Sequence, residues 1–211
     1  MNVSRVAKVD ELKGFSYSNH QLAIAERHAP QESDVFFQKL MQTPFRNVGQ
    51  VFKDTAIDDI EYILEDDIPQ QLQKDPFYSR WVSDMAEICT AFCEVQRSDV
   101  IGFCLGTERG CSRYHIDNVP MRLLVTYAGQ GTEWLPDEAA DRNAFANGAP
   151  NEKIVKDLSA RQYMNSWDVA IFRGGSKGLL HRTPDAAINA SSILMRLDHA
   201  TFWDFVSKNS N

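Results

Sequence analysis

The sequence predicts an α+β fold, and three observations lead there. Residues 33–96 carry helical patterns, residues beyond 100 break into short apolar segments, and Gly or Pro clusters separate most of those segments. About eight short strands is the number a double-stranded β-helix requires, the jelly-roll, cupin-like barrel. The expected organisation is an N-terminal helical layer over residues 1–98, packed on a double-stranded β-helix over residues 99–211, the two forming one structural unit.

Residues 1–20 read as a loose leader without the apolar region of a secretion signal. The stretch 21–27, QLAIAER, alternates weakly and suits a strand. Ser33 heads a short helix whose apolar side is Val35, Phe36 and Leu40, with Pro44 beyond its end. A second helix is expected over 58–68, striped by Ile60, Ile63 and Leu64 and stopped by Pro69. The third is the clearest. Trp81, Met85, Ile88, Phe92 and Val95 recur at helical spacing, and such positions form a core face. Strands are then expected at 100–105, 113–116, 121–127, 132–135, 161–164, 169–172, 178–181 and 192–197. Segment 136–160, rich in Asp, Glu, Asn and Ala, is long for a loop and is expected as a lid or partly helical insertion over the barrel mouth.

Bulk properties exclude several classes of function. The 211 residues, 43% hydrophobic and 24% charged, can bury a sizeable core. Net charge is −7 and the basic residues are scattered, so no nucleic-acid face is signalled. No stretch approaches the roughly 18 apolar residues of a membrane span. The cysteines are Cys89, Cys93, Cys104 and Cys111, without a C-x-x-C pair, so neither a zinc ribbon nor a thioredoxin-type site is signalled. Cys89 and Cys93 fit a helical core face. A cytoplasmic protein, with neither membrane nor nucleic acid as partner, is the expectation.

The chemistry concentrates in 111–134, CSRYHIDNVPMRLLVTYAGQGTEW. In an extended strand His115 and Asp117 share a face, so imidazole and carboxylate can enter one cavity. They make two thirds of a His/carboxylate/His metal triad, and His181 in GLLHRTP is placed to complete it.

In chain order, H-I-D at 115–117, L-L-V-T-Y at 123–127, G-T-E at 131–133, D-V-A-I-F at 168–172, H-R-T-P at 181–184 and Arg196 resemble the Fe(II)/2-oxoglutarate oxygenases. The resemblance covers roughly residues 100–198 and rests on the order of the motifs. It implies His115, Asp117 and His181 as the metal-binding, catalytic set, with Fe(II) and 2-oxoglutarate as cofactors. It also implies Arg196 as the group holding the 2-oxoglutarate carboxylate, in a dioxygenase that hydroxylates a small molecule or a protein. The longer string C-x-R-Y-H-x-D-N-V-P-x-R-L, then T-Y-x-G-x-G-T-E-W-L-P and G-L-L-H-R-T-P, is similar to a bacterial family known only as a domain of unknown function. Genes of that family often neighbour CobW-type zinc metallochaperone GTPases. This implies a link to such a GTPase and a second reading, a non-catalytic Zn(II)-binding protein of zinc homeostasis. That family would place Gly where Trp167 stands.

Other residues near the motifs have two readings each. Tyr127 either reaches a bound acid with its hydroxyl or packs in the core. Glu133 and Trp134 border the expected cavity as substrate contacts. Alternation sets Arg122 opposite Leu123 and Tyr127, which favours an internal ion pair, and Arg182 is read as structural. Cys111 and Cys104 could join a zinc site. Arg196 lies in an apolar alternation, and a buried guanidinium must meet an anion: 2-oxoglutarate, or Asp198 on the same face. His20, His28 and His199 have no partner at a useful spacing.

Overall fold

A computed structural model describes residues 2–202. Its first half runs β1 (Val3–Val6), β2 (Leu22–Ala25), helix α1 (Ser33–Leu40), β3 (Arg46–Phe52), α2 (Ala56–Leu64), the single turn α3 (Gln70–Gln73), α4 (Pro76–Gln96) and β4 (Val100–Gly106). The second half runs β5 (Met121–Ala128), β6 (Glu133–Leu135), short helices α5 (Arg142–Ala146) and α6 (Asn151–Ile154), β7 (Gln162–Tyr163), β8 (Val169–Arg173), β9 (Leu180–Arg182), α7 (Asp185–Ile188) and β10 (Ile193–His199). The result is a mixed α/β protein around a seven-stranded sheet of order β1-β2-β8-β5-β10-β4-β3, with a second sheet β7-β6-β9. Every neighbouring pair is antiparallel except β1 and β2. The sheets do not close into a barrel, because β1 and β3 remain as edges. No helix among the described residues is long and apolar enough to cross a membrane.

One face of the large sheet is covered by helices. Leu123 and Val125 of β5, Met195 and Leu197 of β10, Phe103 of β4 and Ile171 of β8 join α1, α2 and α4 in the main apolar cluster. Helix α4 contributes more buried residues to that cluster than α1 or α2, at the positions that the spacing from Trp81 to Val95 predicts. Asp75 accepts from the Phe77 amide at 2.9 Å at its start, Pro76 fills the first turn, and Arg97 ends it in the left-handed region. Trp81, Met85, Ile88 and Phe92 are fully buried, each contributing about 1.5–3 kcal/mol of transfer free energy. The opposite face carries a smaller cluster, in which Leu22, Ile24, Leu124 and Phe172 meet Trp134 of the second sheet and Leu179.

The stretch 1–98 is more than a helical layer. The expected leader contains β1 and a 3₁₀ segment, Val9–Tyr17, that buries Val9, Leu12 and Phe15. Half-buried β1 shows no clean alternation, so only its pairing with β2 makes it a strand. Strand β3 is likewise unexpected, since polar Arg46, Asn47 and Gln50 break its pattern at the sheet edge. Gly49 packs closely there: a Cβ would lie 2.5 Å from Cδ1 of Ile63 on α2, so a larger residue would have to displace that side chain.

Segment 136–160 is partly helical but is no lid over the main cavity. Ala139, Ala140 and Ile154 pack with Tyr114, Leu135 and Leu180 on the far side of the second sheet. Their apolar burial fixes the segment away from the cavity mouth.

Candidate metal centre

The site is built where the edge of the second sheet meets a tight loop. His115 stands outside the named strands and makes one antiparallel bridge to His181 of β9, with reciprocal amide-to-carbonyl bonds of 3.0 and 3.1 Å. The strand expected at 113–116 is thus reduced to one bridge, and Asp117 lies in the loop that follows. Close backbone packing pins that loop. The Gly175 amide donates to the Asp117 carbonyl at 2.9 Å, and a Cβ on Gly174 would sit 1.9 Å from the Val119 carbonyl oxygen.

Among the described residues, His115, Asp117 and His181 form the one group of three metal-competent side chains whose donor atoms all lie within 4.8 Å of one another. The imidazoles sit with ring centroids 4.5 Å apart, and His181 also packs against Phe172 at 4.6 Å. Each Nδ1 lies 3.0 Å from a backbone carbonyl, of Arg113 for His115 and of Leu179 for His181. In the neutral rings Nδ1 therefore donates and Nε2 keeps a lone pair for the shared space, as metal-ligating histidines are commonly held. Burial, then the neighbouring His181, lowers the pKa of His115 and favours that neutral form. Burial alone would raise the pKa of Asp117, but His181, Arg122 and His115 outweigh it and bring it down to about 2.

These residues fit a divalent metal. Oδ2 of Asp117 is buried without a hydrogen-bond donor and faces His181 Nε2 at 3.3 Å. With Nδ1 as the donor, the lone pairs of Nε2 and Oδ2 face each other at that range, and a proton or a metal cation between them relieves the repulsion. The side chains of Asp117 and His181 are 2% and 4% exposed while His115 is 31% exposed, so the centre opens on the His115 side.

Behind the triad runs a buried chain of charge. The Arg122 guanidinium donates to Oδ1 of Asp117 and, through Nε at 2.7 Å, to Oδ1 of Asp198. Arg196 Nε donates to the other Asp198 oxygen at 2.8 Å. Burial, then repulsion from Arg122, lowers the pKa of Arg196. Arg122 thus makes the ion pair expected of it, and also backs a candidate ligand. The signal was its lone charge at an alternate position of an apolar strand. Arg196 lines the cavity with its carboxylate partner two residues on.

Three expected contacts lie elsewhere. Tyr127 is on the helix-covered face, where its hydroxyl donates to Oδ2 of Asp84 at 2.8 Å and its ring packs on Trp81 and Trp167. Strand alternation turns it away from Arg122, which excludes it from the cavity. Glu133 is buried on the outer side of the second sheet, accepting from the Tyr114 hydroxyl and pairing with Arg182 at 3.0 Å. Trp134 shares the face of His181 but fills the apolar cluster between the sheets. Neither borders the cavity of about 350 Å³ that His115, His181, Arg122 and Arg196 help to line. Cys104 and Cys111 line that cavity without joining the triad.

The family model described as "Protein of unknown function (DUF1826)" matches residues 7–198. The chain belongs to the DUF1826 family. No curated protein sequence is significantly similar to this DUF1826 member. Solved structures similar to it include the Fe(II)/α-ketoglutarate-dependent dioxygenase TqaL, at 11% identity and a TM-score of 0.46, covering 91% of this chain and 86% of that one. IDO from Bacillus thuringiensis is 12% identical with a TM-score of 0.40, covering 90% and 95%. EvdO2 from Micromonospora carbonacea var. aurantiaca, complexed with 2-oxoglutarate, is 11% identical with a TM-score of 0.38, covering 92% and 91%. At such values the functional reading of this DUF1826 protein rests on its own site.

Proposed function

We propose that this protein is an Fe(II)/2-oxoglutarate-dependent oxygenase, built on an open double-stranded β-helix. The observation that carries the reading is the convergence of His115, Asp117 and His181, with both Nδ1 atoms held by carbonyls and a buried, donorless Asp117 oxygen facing His181. Two sheets sharing an apolar cluster beside the site support the jelly-roll assignment.

His115, Asp117 and His181 would hold the metal. When bound, Fe(II) with 2-oxoglutarate would supply oxidising chemistry that no side chain here provides. Arg122 fixes the Asp117 carboxylate, and the packing of His181 against His115 and Phe172 fixes its ring. Arg196, whose Nε donates to Asp198, would also receive the cosubstrate carboxylate.

The test uses protein purified without added metal. One equivalent of Fe(II) should bind, and 2-oxoglutarate added anaerobically should produce a charge-transfer band that Arg196→Ala lacks. His115→Ala should lose most of the metal while remaining folded. Full metal occupancy in His115→Ala would exclude the triad.

A second reading is favoured by one observation, the bond from Arg196 to Asp198, which gives that guanidinium an anion without any cosubstrate. On this reading the triad holds Zn(II) without catalysis, and a CobW-type GTPase is the proposed functional partner. Tight Zn(II) binding with neither the band nor 2-oxoglutarate binding would select it.

A further inference from the structure

Of the five arginines that line the cavity beside the triad, four, Arg109, Arg122, Arg182 and Arg196, are paired unevenly. Arg122 is matched by Asp117 and Asp198, Arg182 by Glu133 and Asp185, and Arg196 by Asp198. Arg109, in the loop after β4, has no ion pair among the described residues. Its hydrogen bonds run to neutral oxygens, one Nη to the Gln130 carbonyl at 3.0 Å and the other to Thr132 Oγ1 at 3.2 Å. Its Nε is buried with no acceptor among the described residues. Glu108 also lines the cavity, but it is exposed to solvent and makes no ion pair with Arg109.

Such an arrangement is costly unless something completes it. A guanidinium offers five N–H donors, of which two are engaged here. Burial without a counter-charge lowers the Arg109 pKa to about 10. The two bonds to Gln130 and Thr132 hold the group against the loop between β5 and β6, so it is positioned as well as charged. Thr132 lines the same cavity.

We propose that the substrate of this cavity is a small anion, bearing a carboxylate or a phosphate, and that Arg109 is its anchor. The proposal rests on the oxygenase reading above for the reaction, while the anchoring rests on Arg109 alone. An anionic group would complete the donor set of Arg109 and supply the charge it lacks, and the planar fork suits both carboxylate and phosphate. Arg109 is thereby assigned to the substrate and Arg196 to the cosubstrate. The cavity of about 350 Å³ is of ordinary size for a small-molecule site.

The experiment titrates succinate and inorganic phosphate separately into the full chain by calorimetry, in metal-free and Zn(II)-loaded forms, with Arg196→Ala as the background so that neither anion is held by the cosubstrate group. At least one anion should bind saturably, and Arg109→Gln should weaken it about tenfold or more. Arg109→Lys should recover part of that loss, having the charge without the fork, which separates anchoring from a folding defect. In parallel, with Arg196 intact, 2-oxoglutarate affinity of the anaerobic Fe(II) form should be unchanged by Arg109→Gln. Neither anion binding to the Arg196→Ala chain, or equal binding once Arg109→Gln is added, would overturn the proposal, as would loss of 2-oxoglutarate affinity in Arg109→Gln alone. Failure of the metal reading looks different: the wild type would take up no metal, yet anion binding to the metal-free chain would still depend on Arg109.

Discussion

Alternate residues of β5 and β10 face two different environments. Leu123, Val125, Tyr127, Met195 and Leu197 turn toward the helices and join the main apolar cluster. Arg122 and Arg196, one position out of phase, turn toward the candidate metal centre and share Asp198. The helix side is held by area removed from water, which tolerates any side chain of the right shape and volume. On the cavity side each buried charge depends on a partner, and removing one partner strands the other. The same two strands thus carry stability on one face and chemistry on the other, and the two should be separable by mutation.

The largest effect expected is on the helix side. Trp81→Ala should cost about 3–5 kcal/mol in denaturant unfolding, because a fully buried indole leaves a cavity between α4 and the sheet. The fraction that remains folded should bind metal with wild-type stoichiometry; loss of metal in that fraction would mean that the faces are coupled. On the cavity side, His181→Ala should lower metal affinity about a hundredfold or more while barely changing the unfolding of the metal-free chain. A metal-free variant that unfolds as readily as Trp81→Ala would show that His181 is chiefly a core residue. The smallest effect is that of Tyr127→Phe. Removing the hydroxyl that donates to Asp84 should cost about 1 kcal/mol. Asp84 keeps its ion pair with Arg27, and 2-oxoglutarate binding should not change. A change in 2-oxoglutarate affinity would restore Tyr127 to the site.

Trp167 shows how far local sequence reaches. The family string leads one to expect Gly here, and the backbone explains why: φ is +74°, a region that costs most residues free energy. What the string does not convey is what tryptophan contributes. Its ring meets Tyr127 edge-on at 4.8 Å, lies beneath the Arg27 guanidinium at 5.6 Å, and its amide donates to the Thr126 carbonyl at 2.8 Å. Packing offsets the strain of the turn, and that packing involves residues far apart in the chain.

By itself the sequence determined the elements whose signal is periodic and local. Helix α4 and strands β4, β5, β8 and β10 follow from apolar spacing, since a residue buried at every third or fourth position, or every second, leaves that trace. The candidate ligands were also legible, because few residue types bind metals and their order along the chain is informative. The tertiary structure decided whatever depends on partners distant in sequence. It made strands of β1 and β3, which sit half-exposed at sheet edges and need β2 and β4 to satisfy their backbones. It turned Tyr127, Glu133 and Trp134 away from the cavity, because facing depends on which sheet a strand joins. Above all it decided the ion pairing. Among the described residues Arg196 has Asp198 and Arg109 has no carboxylate, and nothing in the chain order separates two arginines whose difference lies in which charges the fold brings beside them.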